Sequence, residues 1–63
     1  MPFVTFVTLN GDRLGLNVAE ITLFCTAKKG TRIFLKDGVY NDVQEDFDRV
    51  SETLNSSFIS AKN

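Results

Sequence analysis

The chain has 63 residues and a formal net charge of −1, room for one domain that buries only about 60% of the surface its unfolded form exposes. A single cysteine, Cys25, and the absence of histidine exclude an internal disulfide and a Cys/His zinc site, which leaves a compact core or a self-partner as the source of stability. At 43% apolar and 24% charged residues the composition is that of an ordered globular domain, and no apolar run reaches the roughly 20 residues of a membrane span.

Residues 3–9, Phe-Val-Thr-Phe-Val-Thr-Leu, have strand composition. Asn10-Gly11 follows, a dipeptide suited to a two-residue type I′ turn. That turn pairs Leu9 with Asp12, Val7 with Leu14, Thr5 with Leu16 and Phe3 with Val18, and sets Phe6 opposite Gly15. Asn17-Val18-Ala19 reads as a short connection. Residues 20–26 read as a third strand and 31–36 as a fourth. A three-residue loop ending at Gly30 pairs Ala27 with Thr31, Cys25 with Ile33 and Leu23 with Leu35, and places Phe24 opposite Phe34. Asp37-Gly38 turns the chain into a short strand end at Val39-Tyr40.

The helix is expected to start at an N-cap of Asn41 or Asp42, with Gln44 or Glu45 completing a capping box. Val43, Phe47, Val50, Leu54 and Phe58 recur at spacings of 4, 3, 4 and 4, one helical stripe. Acids crowd its first turns, where the helix dipole favours them. The expected fold is therefore α+β: a small antiparallel β-meander of four to five strands packed on one C-terminal amphipathic helix, with a domain over residues 1–59 and a frayed polar tail over 60–63. The helix should cover Phe3, Val7, Leu14, Leu16, Leu23, Cys25, Ile33 and Leu35, with Cys25 buried as free cysteines usually are.

One helix shields one face of a sheet. The other face should carry Val4, Phe6, Phe24 and Phe34, where antiparallel sheets usually present polar residues. Aromatic cross-strand pairs can simply stabilise a sheet; a large exposed apolar patch more often marks a binding surface. Arg13, Arg32 and Lys36 are expected beside those phenylalanines. A second copy related by a two-fold axis is the commonest partner for such a face.

Charge is segregated along the chain. Residues 1–36 hold five bases and two acids, and residues 37–63 hold six acids and two bases. A basic sheet beside an acidic helix needs no partner to explain it. An acidic surface of Asp42, Glu45, Asp46, Asp48 and Glu52 could also fit a basic groove on a target.

Catalytic signals are nearly absent. No histidine serves general acid–base work, and no nucleophile pairs with a base. The glycines fall in hairpin turns, not in a phosphate-cradling loop before a helix. The expectation is a non-enzymatic chain with no cofactor and no metal. Without a basic-then-apolar opening segment and with one unpaired thiol, a cytoplasmic location is expected.

The order Leu9-Asn10-Gly11, Leu16-Asn17, Ile21, Thr31 with Ile33 and Leu35, Gly38, and Val43 with Val50 resembles the small flagellar and swarming-motility proteins of the FlbD/SwrD type. The resemblance spans roughly residues 5–54. It departs from that family's acidic, proline-containing stretch at Ala27-Lys28-Lys29-Gly30 and in the polar tail after Leu54. It implies the strand-and-helix fold and a binding role without a catalytic site, accessory to a larger assembly.

Three functions follow as expectations. The first is a protein–protein interaction module, self-associating or docking through an aromatic sheet face. The second is a small phage-encoded inhibitor or regulator of a host protein, acting through the acidic helix. The third, least favoured for a chain of pI ≈ 5.1, is binding of single-stranded nucleic acid on the sheet.

Overall fold

In the first hairpin, β1 (Phe3–Val7) and β2 (Arg13–Asn17) pair antiparallel, with Val4 opposite Leu16 and Phe6 opposite Leu14. The structure, a computed structural model, describes the backbone of residues 2–62 and the side chains of residues 2–56. The observed pairing is one residue out of step with the type I′ expectation. That turn needs positive φ at both central residues, and only Gly11 has it, at 94°. The chain instead closes a three-residue loop, Leu9-Asn10-Gly11. Thr8 N–H donates to the Asp12 carbonyl at 2.7 Å and Gly11 N–H to the Thr8 carbonyl at 2.9 Å.

A 3-10 turn at Val18–Glu20 follows, its first N–H groups capped where the Asn17 side chain accepts from Ala19 N–H. β3 (Ile21–Thr26), β4 (Thr31–Leu35) and β5 (Tyr40–Val43) form a second antiparallel sheet in that order. The β3–β4 hairpin also differs by one residue from expectation. Ala27 N–H bonds the Gly30 carbonyl at 3.1 Å, so Lys28-Lys29 alone make the loop. Cys25 then faces Arg32, Phe24 faces Ile33 and Leu23 faces Phe34. Gly30 has φ +79°, and a Cβ there would overlap the Val43 carbonyl. The β4–β5 connection, Lys36-Asp37-Gly38, repeats the three-residue form of the first hairpin.

The two sheets meet at one corner. Thr8 bridges Val43, and Gln44 N–H donates to the Val7 carbonyl at 2.7 Å. The end of β1 thus lies beside the end of β5. The expected meander is split into two sheets, of two and three strands, joined at that corner instead of between β2 and β3.

Helix α1 spans Phe47–Lys62 and lies against β1 and β3. It begins later than the expected cap at Asn41 or Asp42, because residues 40–43 extend the ladder to β4 and bury Val43 there. Asp46 is the N-cap: its Oδ1 accepts Arg49 N–H at 2.8 Å, and its carbonyl accepts Val50 N–H at 3.0 Å. Val43, expected to open the helical stripe, is a strand residue. Phe47, Val50 and Leu54 carry the stripe, and the side chain of Phe58 lies outside the described residues. The helix runs through the start of the expected tail at Ser60.

Val4, Phe6, Leu16, Ile33, Val43 and Val50 form the core, with Leu14, Val18, Ile21, Phe24, Leu35 and Leu54 packed round it. Each register slip inverts one strand. Phe3 is 67% exposed where Phe6 is 1% exposed, so β1 buries the opposite face to that expected. Leu23 and Cys25 are exposed, while Phe24 packs inward. In β2 and β4 the inward residues are the expected ones.

Candidate functional site

The expected aromatic face does not exist as one surface. Val4 and Phe6 are core residues. Phe24 sits on the core side of β3, its ring 4.9 Å from that of Phe47 on α1. Arg13 is exposed on β2, opposite Val7, and belongs to the other sheet. Lys36 lies in the β4–β5 loop. Of the seven residues expected to bind a partner, Phe34 and Arg32 share the outer face of the second sheet.

The registers assemble that face in two cross-strand rows. Leu23, Phe34 and Tyr40 make one, running across β3, β4 and β5. Cys25, Arg32 and Asp42 make the other. Leu23 is 54% exposed and Tyr40 48%, with Phe34 half-buried between them. The Phe34 and Tyr40 rings lie 5.5 Å apart and tilted by 50°, a favoured edge-inclined contact. Cys25, expected to be buried, is exposed here because β3 is turned over.

Arg32 ties the two rows together. Its Nε donates to Asp42 Oδ1 at 2.8 Å and its Nη2 to Oδ2 at 3.1 Å, a two-pronged pair. The guanidinium carbon stands 4.2 Å from the centre of the Tyr40 ring, within range of a cation–π contact. The hydrogen bond from Arg32 holds Asp42 below the usual carboxylate range against a smaller opposing effect of burial. The same bond raises Arg32. Asp42 and Arg32 therefore form a fixed ionic pair on the outer surface. Beside it lies an open groove of about 410 Å³ whose walls include Leu9, Cys25, Lys28, Lys29 and Arg32.

The acidic surface expected on the helix is dispersed. Asp42 is on β5 and engaged by Arg32. The Glu45 carboxylate accepts Val7 N–H. Asp46 caps the helix. Asp48 and Glu52 remain on α1, both exposed. Early strand extension through Val43 causes this: it removes one turn from the helix and with it the common face. Among the described residues no group of three or more His, Cys, Asp or Glu is placed to hold a metal. No helix among the described residues is long and apolar enough to cross a membrane.

Sequence reasoning missed Leu23 and Tyr40. Tyr40 was within reach: a three-residue loop at Lys36-Asp37-Gly38 puts it opposite Phe34. Leu23 was not, since its side depends on the register of the β3–β4 hairpin. Compared with family models, with curated proteins and with solved structures, the chain finds no match.

Proposed function

We propose that the protein is a non-enzymatic interaction module that docks a protein partner on the outer face of the β3–β4–β5 sheet. The observation that carries this reading is the row Leu23–Phe34–Tyr40, exposed across three strands and flanked by the Arg32–Asp42 pair. Aromatic residues and arginine are enriched where protein surfaces meet. Here the Arg32 side chain is already ordered over Tyr40, so less rotamer freedom is lost on binding. An accessory place in a larger assembly, as in the flagellar and swarming-motility proteins that the sequence resembles, suits such a module.

The geometry lends less support to the other two readings. Three of the five acids that an inhibitory helix would display are held in internal hydrogen bonds. A nucleic-acid surface would need Arg13, Arg32 and Lys36 together, whereas Arg13 lies on the other sheet and Arg32 is neutralised by Asp42.

Tyr40 is the only tyrosine, and the chain has no tryptophan, so intrinsic fluorescence reports on this face alone. Docking should protect Tyr40 from acrylamide quenching as partner or protein concentration rises. Phe34→Ser should abolish the protection and leave the far-ultraviolet circular dichroism unchanged. Tyr40 equally quenched at every concentration would reject the face as an interface.

A further inference from the structure

The outer edge of β3 carries a second, separate signal. The Ala27–Gly30 bond fixes the hydrogen-bonding phase of the hairpin. In an antiparallel pair, facing residues alternate between bonded and non-bonded. Ala27, Cys25 and Leu23 therefore point their backbone groups at β4, and Phe24 and Thr26 point theirs at the free edge. No backbone partner beyond the β4 ladder meets Phe24 or Thr26 among the described residues. Natural edge strands are commonly blunted by charge, proline or a bulge. Ile21-Thr22-Leu23-Phe24-Cys25-Thr26 has no charged residue and no proline; its one irregularity is a register shift between Ile21 and Leu23. Alongside, α1 leaves an open groove of about 400 Å³ walled by Ile21, Thr22, Phe24, Leu54 and Asn55, so an added strand has room.

Charge selects the occupant. Glu20 stands at one end of β3, and Lys28 and Lys29 at the other. A parallel copy would bring like charges together at both ends. An antiparallel copy centred on Phe24 brings Glu20 of each chain to Lys28 of the other, with seven uncharged residues between. We propose that two copies of this chain join antiparallel through β3, Phe24 facing Phe24 across the two-fold axis, to make one continuous six-stranded sheet. Phe24 and Thr26 supply the bonded positions, on the side of the register shift where the hairpin fixes the phase. Leu23 of each copy then lies opposite Cys25 of the other at a non-bonded position. The two outer faces lie on the same side, so both Leu23–Phe34–Tyr40 rows become parts of one platform. This goes beyond the docking reading: it names a second copy and a register at the strand edge, and it does not use the face.

The register is tested by cross-linking. Non-bonded antiparallel partners have Cα atoms about 4.5 Å apart, inside the disulfide window of about 4.4–6.8 Å. Leu23→Cys treated with oxidised glutathione should give a covalent dimer of twice the monomer mass with two intermolecular disulfides. The wild type and the Leu23→Cys, Cys25→Ser double variant should cross-link at least about tenfold more slowly, since neither places two thiols opposite each other. Leu23→Cys remaining monomeric, or either control cross-linking as fast, would overturn the proposal. Thr26→Pro removes an edge-pointing N–H and leaves Leu23, Phe34 and Tyr40 in place. It should weaken self-association by about tenfold or more in sedimentation equilibrium, with an unchanged dichroism spectrum. Unaltered self-association would reject the edge while leaving the Phe34→Ser quenching result to judge the face independently.

Discussion

The Glu45 carboxylate accepts the backbone N–H of Val7 through both oxygens, at 3.1 and 3.2 Å, across 38 residues of sequence. It joins the end of β1 to the segment between β5 and α1, where no ladder partner would otherwise satisfy that N–H. The same segment is held from the other side by the buried Thr31, whose Oγ1 donates to the Glu45 carbonyl at 2.8 Å. A buried donor stripped of its acceptor costs about 1–3 kcal/mol. Glu45→Ala should lower the urea-unfolding free energy by about 1–2 kcal/mol. Glu45→Gln, which keeps an acceptor oxygen, should recover about half of that loss.

Gly30 separates backbone conformation from backbone crowding. Gly11→Ala meets open space but keeps a positive φ, and should cost about 1–2 kcal/mol. Gly30→Ala suffers the same conformational strain and also drives a methyl group into the Val43 carbonyl. The ladder at the sheet corner would have to move, so its cost should exceed that of Gly11→Ala by at least about 1 kcal/mol. Gly15→Ala has neither penalty and should be neutral or stabilise by up to about 1 kcal/mol. Thermal midpoints of the three variants would rank them.

Phe6 and Phe34 should respond in opposite ways to truncation. Phe6 is sealed in the core, and Phe→Ala at such sites costs about 3–5 kcal/mol. That is comparable with the whole stability of a chain this short, at roughly 0.05–0.15 kcal/mol per residue. Phe6→Ala should therefore be largely unfolded at 37 °C by circular dichroism. Phe34→Ala, on the outer face, should stay folded.

The Arg32–Asp42 pair sets a direction for acid sensitivity. Asp42 binds its proton less readily in the folded chain than an ordinary carboxylate does, chiefly because Arg32 donates to it. Its contribution is complete above the usual carboxylate range, about pH 4, and is lost as pH falls through the lower folded value. Arg32 stays cationic throughout. Asp42→Asn should flatten part of the stability loss below about pH 4 in urea titrations and leave stability above pH 6 nearly independent of pH. It should also loosen Arg32 from Tyr40, visible as a change in tyrosine quenching at neutral pH.

Much of the architecture was written locally. Turn residues at Asn10-Gly11, Gly30 and Asp37-Gly38 bounded the strands. In β2, and at Arg32-Ile33 of β4, one side chain of the alternating pair is plainly the better core former, so their inward faces were legible. The spacing of Phe47, Val50 and Leu54 placed the helix. β1 and β3 are apolar on both sides, Phe-Val-Thr-Phe-Val and Ile-Thr-Leu-Phe-Cys-Thr. No alternation told such strands which side to bury, and a one-residue difference in loop length decided it.

Hairpins followed by a helix are encoded locally, because turn chemistry and periodicity act over a few residues. Packing between distant segments makes Phe6 core, sets Tyr40 and Leu23 beside Phe34 on the outside, and holds Val43 in a strand instead of a helix. Those choices depend on long-range partners: the Thr8–Val43 bridge, the Gln44–Val7 bond and the closeness of Gly30 to the Val43 carbonyl. Each sums contacts from segments far apart in the chain, which no local pattern encodes.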